Sequence, residues 1–293
     1  PVDRCATADG MTADTTMPLD PDTREREYSP SSVIGGDYAP FLERYRTESA
    51  AALRTLAVQR NLSYGDASSA LIDYFPAPVS ASRPGLLVYF HGGYWQELSK
   101  EESAFLAPAW HAAGFAHAVV GFRLAPAARL PEIVSECRAA VRWLHWRADT
   151  LGFDGGNIVA AGSSAGAYLA AACADAGRAP LRGIVAVSGI YDVAPLIGTS
   201  INDALGLDDA TAAAMDLLTT PRRFCPAVVG WGEIETSEFK RQSRAFAARL
   251  AADAIPCTAL EVPGRNHFDV ILDLADAASP LFAAARALFA TSD

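Results

Sequence analysis

Gly162-Ser163-Ser164-Ala165-Gly166 constrains this chain more than any other stretch. It has the form G-x-S-x-G. A strand-like run, Asn157 to Ala161, precedes it, and an apolar helical run, Tyr168 to Cys173, follows. A serine in that context sits on a tight strand-to-helix turn with small residues on both sides. The turn exposes the hydroxyl and aims the next backbone N–H at whatever the hydroxyl attacks. Gly and Ser are common in loops, so the pentapeptide alone is a weak signal. His91-Gly92-Gly93-Tyr94-Trp95 strengthens it, because it follows another apolar strand, Leu86 to Phe90. Glycines at a strand's exit let a second backbone N–H approach the same serine.

The rest of the chain alternates strand and helix signals. Strands are predicted at Leu71–Phe75, Phe115–Phe122, Gly183–Ser188, Ala227–Trp231 and Thr258–Val262. Helices are predicted at Tyr38–Arg60, Lys100–Ala113, Pro131–Leu151, Ser237–Ala252 and Pro280–Ala290. This alternation implies a mostly parallel sheet covered on both faces. Residues 1–32, rich in Asp, Thr and Pro, are expected to be flexible, and 33–293 to form one domain. Residues 192–224 lie between two core strands and read as a substrate-covering insertion.

The 293 residues carry a formal net charge of −10, which disfavours a nucleic-acid partner because no basic face would offset phosphate. The five cysteines, Cys5, Cys137, Cys173, Cys225 and Cys257, form no C-x-x-C pair and read as reduced thiols of a cytoplasmic protein. The polar N-terminus has no apolar signal-peptide core. The uncharged stretch Ile158–Ala174 contains the glycine–serine turn, so a buried strand-turn-helix is expected there and not a membrane span. A homodimer is compatible with this surface, and a small molecule is the expected partner.

A serine hydroxyl needs a base in hydrogen-bond reach and a third group that orients the base. Of the five histidines, only His267 follows Ser164, in a turn after the last predicted strand. In chains with a serine on such a turn the order is Ser, acid, His. The acid belongs after Ala227–Trp231, where Glu233 and Glu235 compete, and sequence physics does not choose between them. His111, His117 and His145 read as packing or surface histidines. His91 opens the HGG loop and is expected to hold its shape. No H-E-x-x-H, Cys/His cluster or carboxylate array implies a metal, and acyl transfer by a serine requires no cofactor. The backbone N–H groups of Ala165 and of Gly92 or Gly93 are the expected donors to an oxyanion. Tyr94, Trp95 and Tyr191 are candidates for an aromatic wall, and Asn202, in the insertion, for a polar contact.

These segments resemble the arylformamidases, or kynurenine formamidases, of the hormone-sensitive-lipase-like α/β-hydrolases. The resemblance runs from about Tyr28 to Phe289. It is carried by Tyr28-Ser29-Pro30-Ser31, His91-Gly92-Gly93-Tyr94-Trp95-Gln96, Arg123-Leu124-Ala125-Pro126 and the serine turn. Ser188-Gly189-Ile190-Tyr191-Asp192, Thr199-Ser200-Ile201-Asn202-Asp203, Glu238-Phe239-Lys240-Arg241-Gln242-Ser243 and Asn266-His267-Phe268 extend it. It implies an α/β-hydrolase fold and hydrolysis of N-formyl-L-kynurenine through an acyl-serine. Ser164, Glu235 and His267 would form the triad, with Glu233 in reserve. The chain departs from the family at Glu235, where Asp is more common. Ser163 and Tyr168 stand where the family has histidines, and Phe122 where tyrosine is usual. The rival readings are a carboxylesterase for short acyl or aryl esters and a non-catalytic binding protein on the same fold.

Overall fold

A computed structural model describes residues 19–79, 83–174 and 181–290. Eight strands form one sheet: β1 (Gln59–Ser63), β2 (Leu71–Phe75), β3 (Leu86–Phe90), β4 (Ala116–Val120), β5 (Ile158–Ser163), β6 (Gly183–Val187), β7 (Ala227–Ile234) and β8 (Cys257–Asn266). Their order is β1-β2-β4-β3-β5-β6-β7-β8. The β1–β2 and β2–β4 pairs are antiparallel, and every later pair is parallel. The sheet is thus mostly parallel, with its antiparallel part at one edge.

The helices are α1 (Pro21–Glu27), α2 (Ala39–Thr55), α3 (Ala107–Ala112), α4 (Leu130–Leu151), α5 (Ala165–Cys173), α6 (Asn202–Leu205), α7 (Asp209–Met215), α8 (Ser237–Ala252) and α9 (Pro280–Ala287). Successive strand residues point to opposite faces, and β3 shows the result. Leu86, Val88 and Phe90 join the core under α4, α5 and α8, while Leu87 and Tyr89 join the core under α2, α3 and α9. The uncharged stretch at 158 to 174 is the expected buried strand-turn-helix. Among the described residues, no helix is long and apolar enough to cross a membrane.

Three differences from the sequence reading have physical causes. The polar strand β1 is exposed along its length, so it lacks the apolar pattern that marks strands, and the preceding helix ends at Thr55. The helix expected at Lys100–Ala113 is two short 3₁₀ turns followed by α3, since Pro108 supplies no N–H for a continuous ladder and fits only the first turn. The expected flexible N-terminus is ordered from residue 19. Asp20 caps α1 by accepting from the Thr23 N–H at 3.0 Å, and Tyr28 is fully buried. Residues 1–18, including Cys5, lie outside the described part.

Candidate active site

Ser164 occupies the turn between β5 and α5 at φ 56°, ψ −121°. L-residues rarely adopt this conformation, which costs on the order of 1–3 kcal/mol. The neighbouring glycines permit it. A Cβ on Gly162 would lie 2.1 Å from the Gly166 carbonyl oxygen, and one on Gly166 would lie 2.0 Å from that of Phe90. The HGG loop presses equally close, since a Cβ on Gly92 would meet the Ser163 carbonyl oxygen at 3.0 Å. His91 is buried and stacks on Phe122 at 4.3 Å between ring centroids. Its Nδ1 lies 3.0 Å from the Gly92 carbonyl oxygen. A planar trans peptide then turns the Gly93 N–H the opposite way. Burial pulls the imidazole down to about pKa 4, so it is neutral at pH 7. Among the described residues, no hydrogen bond occupies the N–H groups of Gly92, Gly93 or Ala165.

Glu235, directly after β7, approaches His267, and Glu233 does not. Oε2 of Glu235 lies 3.1 Å from His267 Nδ1. Its Oε1 accepts from the Ser188 hydroxyl at 2.6 Å and the Gly232 N–H at 2.5 Å. Glu233 is exposed and accepts from the Gly264 N–H at 2.8 Å. On a regular strand these two residues would share a face. An irregularity between Gly232 and Ile234 in the β7–β8 pairing separates them. A carboxylate only accepts, so the Nδ1–H tautomer of His267 is favoured and Nε2 keeps its lone pair. The Asn266 side chain holds the histidine turn by accepting from the N–H groups of Phe268 and Asp269, at 2.8 and 3.2 Å.

Ser164 and His267 line one cavity of about 320 Å³. One wing is aromatic. Tyr38 stacks on Phe268 at 5.1 Å, and Phe105 packs on Tyr45 at 4.9 Å and on Tyr89 at 5.7 Å. The other wing is polar and includes Glu25, Ser31, Gln96 and Ser200.

Tyr94 lines the cavity as expected of a wall residue, but three other expected contacts lie elsewhere. Tyr94 and Trp95 both take positive φ, which sends consecutive side chains apart. Trp95 therefore enters the core and meets Tyr168 edge-on at 5.4 Å. Tyr191 is fully buried and stacks on Phe246 at 4.0 Å. The Asn202 side chain ties α6 to Leu207, accepting from its N–H at 2.8 Å and donating to its carbonyl at 3.1 Å. Of the 192–224 insertion, Ser200 and Ile201 border the cavity, and α7 is anchored from below by the Tyr168 hydroxyl donating to the Met215 carbonyl at 2.7 Å.

Sequence reasoning missed Ser188 and Glu25. Ser188 is a small polar residue at the exit of a core strand, a signal that was visible. Glu25 lies 175 residues from its partner Ser200, a pairing that no local pattern announces.

A family model described as BD-FAE matches residues 72–181. A kynurenine formamidase from Salmo salar is 30% identical over 281 aligned residues, covering 88% of this chain and 92% of that protein. The chain belongs to the kynurenine formamidase family. It is an α/β-hydrolase, and its family makes it a serine hydrolase. A proposed thioesterase from Silicibacter sp. TM1040 has the same fold, with TM-score 0.79 and 28% identity over 88% of this chain and 97% of that one. A carboxylesterase from Mycobacterium tuberculosis is 33% identical over 41% of this chain and 38% of its own length.

Proposed function

We propose that this enzyme hydrolyses N-formyl-L-kynurenine to L-kynurenine and formate. The observation that carries the reading is convergence. The strained Ser164 and a His267 oriented by Glu235 open onto one cavity with an aromatic wing, in a chain of this family. Ser164 Oγ attacks the formyl carbon while His267 Nε2 takes its proton. The oxyanion is met by the N–H of Ala165 and by that of Gly92 or Gly93, all free to donate. Collapse breaks the C–N bond, and His267 returns the proton to the arylamine. Water then attacks the formyl-serine with His267 as base, releasing formate and restoring the hydroxyl. Glu235 balances the imidazolium in both halves. His91 transfers no proton in this scheme; it shapes the loop.

Incubating the purified full chain with N-formylkynurenine, and following kynurenine absorbance, tests the reading. Turnover with kcat/KM above that for phenyl acetate supports it. A second reading, a short-chain carboxylesterase, draws on the carboxylesterase match and gains if phenyl acetate is cleaved and the formamide is not. Labelling of Ser164 by a fluorophosphonate separates both from a non-catalytic binding protein. We place the enzyme in the reducing cytoplasm, where Cys137, Cys173, Cys225 and Cys257 would stay free as they are here. Every residue in the scheme comes from one chain, so a homodimer would not be needed to complete the site.

A further inference from the structure

The cavity has a sign. Glu25 and Glu97 line it, and no lysine or arginine does among the described residues. Glu25 is the better placed of the two. Its carboxylate accepts from the Ser200 N–H at 2.9 Å and from the Ser200 hydroxyl. Neither donor carries a charge, and Glu25 forms no ion pair among the described residues. A carboxylate offers about four acceptor positions, so two remain. Its negative charge is therefore fixed in direction and left uncompensated at the polar wing. Its field reaches the HGG loop: burial first, then Tyr28 and Glu25, hold the Tyr94 phenol well above its ordinary value. The aromatic wing suits a ring, and Ser164 lies on the same cavity.

We propose that Glu25 anchors an ammonium group on the substrate's side arm, so that the cleft ranks matched aryl acyl compounds cation first, zwitterion second and anion last. The substrate class is an aryl formamide carrying a primary alkylamine. A free carboxylate on that arm finds no cationic partner in the lining, so an amine without one should be processed at least as well as the amino acid. The inference rests on the acyl-serine reading, but not on the formyl group.

The test uses phenyl acetates that bear an aminoethyl, ethyl or carboxyethyl arm, and the formanilides with the same arms. Wild type should favour the cationic ester over the anionic one by about fivefold to tenfold in kcat/KM, and less at high salt. Glu25→Gln should collapse that ratio, and Glu25→Asp should restore part of it. Ser200→Ala removes the hydroxyl contact but keeps the charge, so it should preserve the ranking. If the esters rank by charge and the formanilides are not cleaved, the inference stands and the formamidase reading falls. If formanilides are cleaved without ranking, the inference falls alone. It also falls if Glu25→Gln raises KM equally for all three arms, since Glu25 would then be only a structural tie.

Discussion

At the strand ends the backbone does the positioning. Ser164 is held at φ 56°, Ser188 at φ 52°, and Gly92, Gly162 and Gly166 are packed so closely that side chains would collide with main chain. Across the cavity, the roof of α1 and the insertion is held by side chains. The Tyr28 hydroxyl donates to Glu238 Oε2 at 2.8 Å and accepts from Gln242 Nε2 at 3.1 Å. Thr236 Oγ1 donates to the Glu27 carbonyl at 2.6 Å, and Gln96 Nε2 to the Ile201 carbonyl at 2.8 Å. Chemistry needs sub-ångström placement, which buried main chain delivers. Binding tolerates, and often requires, a roof that opens. The two regions should therefore respond differently to mutation, in kcat on one side and in KM and local stability on the other.

The hardest test of the backbone side is Ser164→Ala. Triad members act as a unit, so kcat should fall on the order of 10⁴–10⁶. Ser163→Ala, one residue before the apex, should cost far less. Steady-state rates on any accepted ester decide it, and the reverse order of effects would remove Ser164 from its role.

Next comes Glu235→Gln, with an expected loss of about 10⁴ in kcat, because an amide no longer fixes the imidazole tautomer or offsets its charge. Glu233→Gln should stay within a few-fold. Ser188→Ala should fall between, since a hydrogen bond to a charged group is worth about 1.5–3 kcal/mol, or roughly tenfold to a hundredfold. Comparable losses for Glu233→Gln and Glu235→Gln would assign the acid incorrectly here.

How much could be read in advance follows the same division. Ser164, the HGG loop and His267 were legible because each is a local motif at a strand's exit. The sheet was legible where strands are buried and apolar, and β1 was missed because it is exposed and polar. Glu235 and Glu233 were inseparable by residue pattern, because an irregularity in strand pairing distinguishes them. Trp95 was misplaced because two successive positive-φ residues overrode the simple idea of adjacent aromatics facing one site. The roof was hidden almost entirely. Its ties join residues such as Tyr28 and Glu238, 210 positions apart, through ordinary tyrosines and glutamates.

The backbone side also carries an acid liability. Burial lowers His91 to about pKa 4 and His117 to about 3, from 6.5. The unfolded chain binds these protons first, so stability is fully present above about pH 6.5 and is lost as pH falls toward the folded values. At pH 5 each histidine should cost about 2 kcal/mol. Glu238, in the roof, behaves otherwise. Its burial raises the pKa, but hydrogen bonds from Arg241 and Tyr28 outweigh this and lower it, so the roof tie stays charged over that range. His117→Leu should flatten the fall in Tm between pH 7.5 and pH 5. An unchanged slope would mean that the acid sensitivity lies elsewhere.

The smallest expected effect sharpens the comparison most. Tyr28→Phe deletes one hydroxyl and leaves Ser164, His267 and Glu235 untouched. Glu238 keeps Arg241, whose Nε and Nη2 lie 2.8 and 2.7 Å from its oxygens. Gln242 keeps the Tyr191 and Asp192 N–H groups, each donating to its Oε1 at 2.8 Å. With these partners in place, the lost stability should be about 1 kcal/mol. The effect on catalysis should be a few-fold rise in KM with kcat within about twofold, because a looser roof weakens binding without moving the reacting groups. Hydrogen exchange should rise in α1 and not in β5 or α5. A tenfold fall in kcat at constant KM would mean that roof and strand ends operate as one rigid unit, with the hydroxyl of Tyr28 helping to place the histidine through Phe239, which packs on His267 at 4.3 Å.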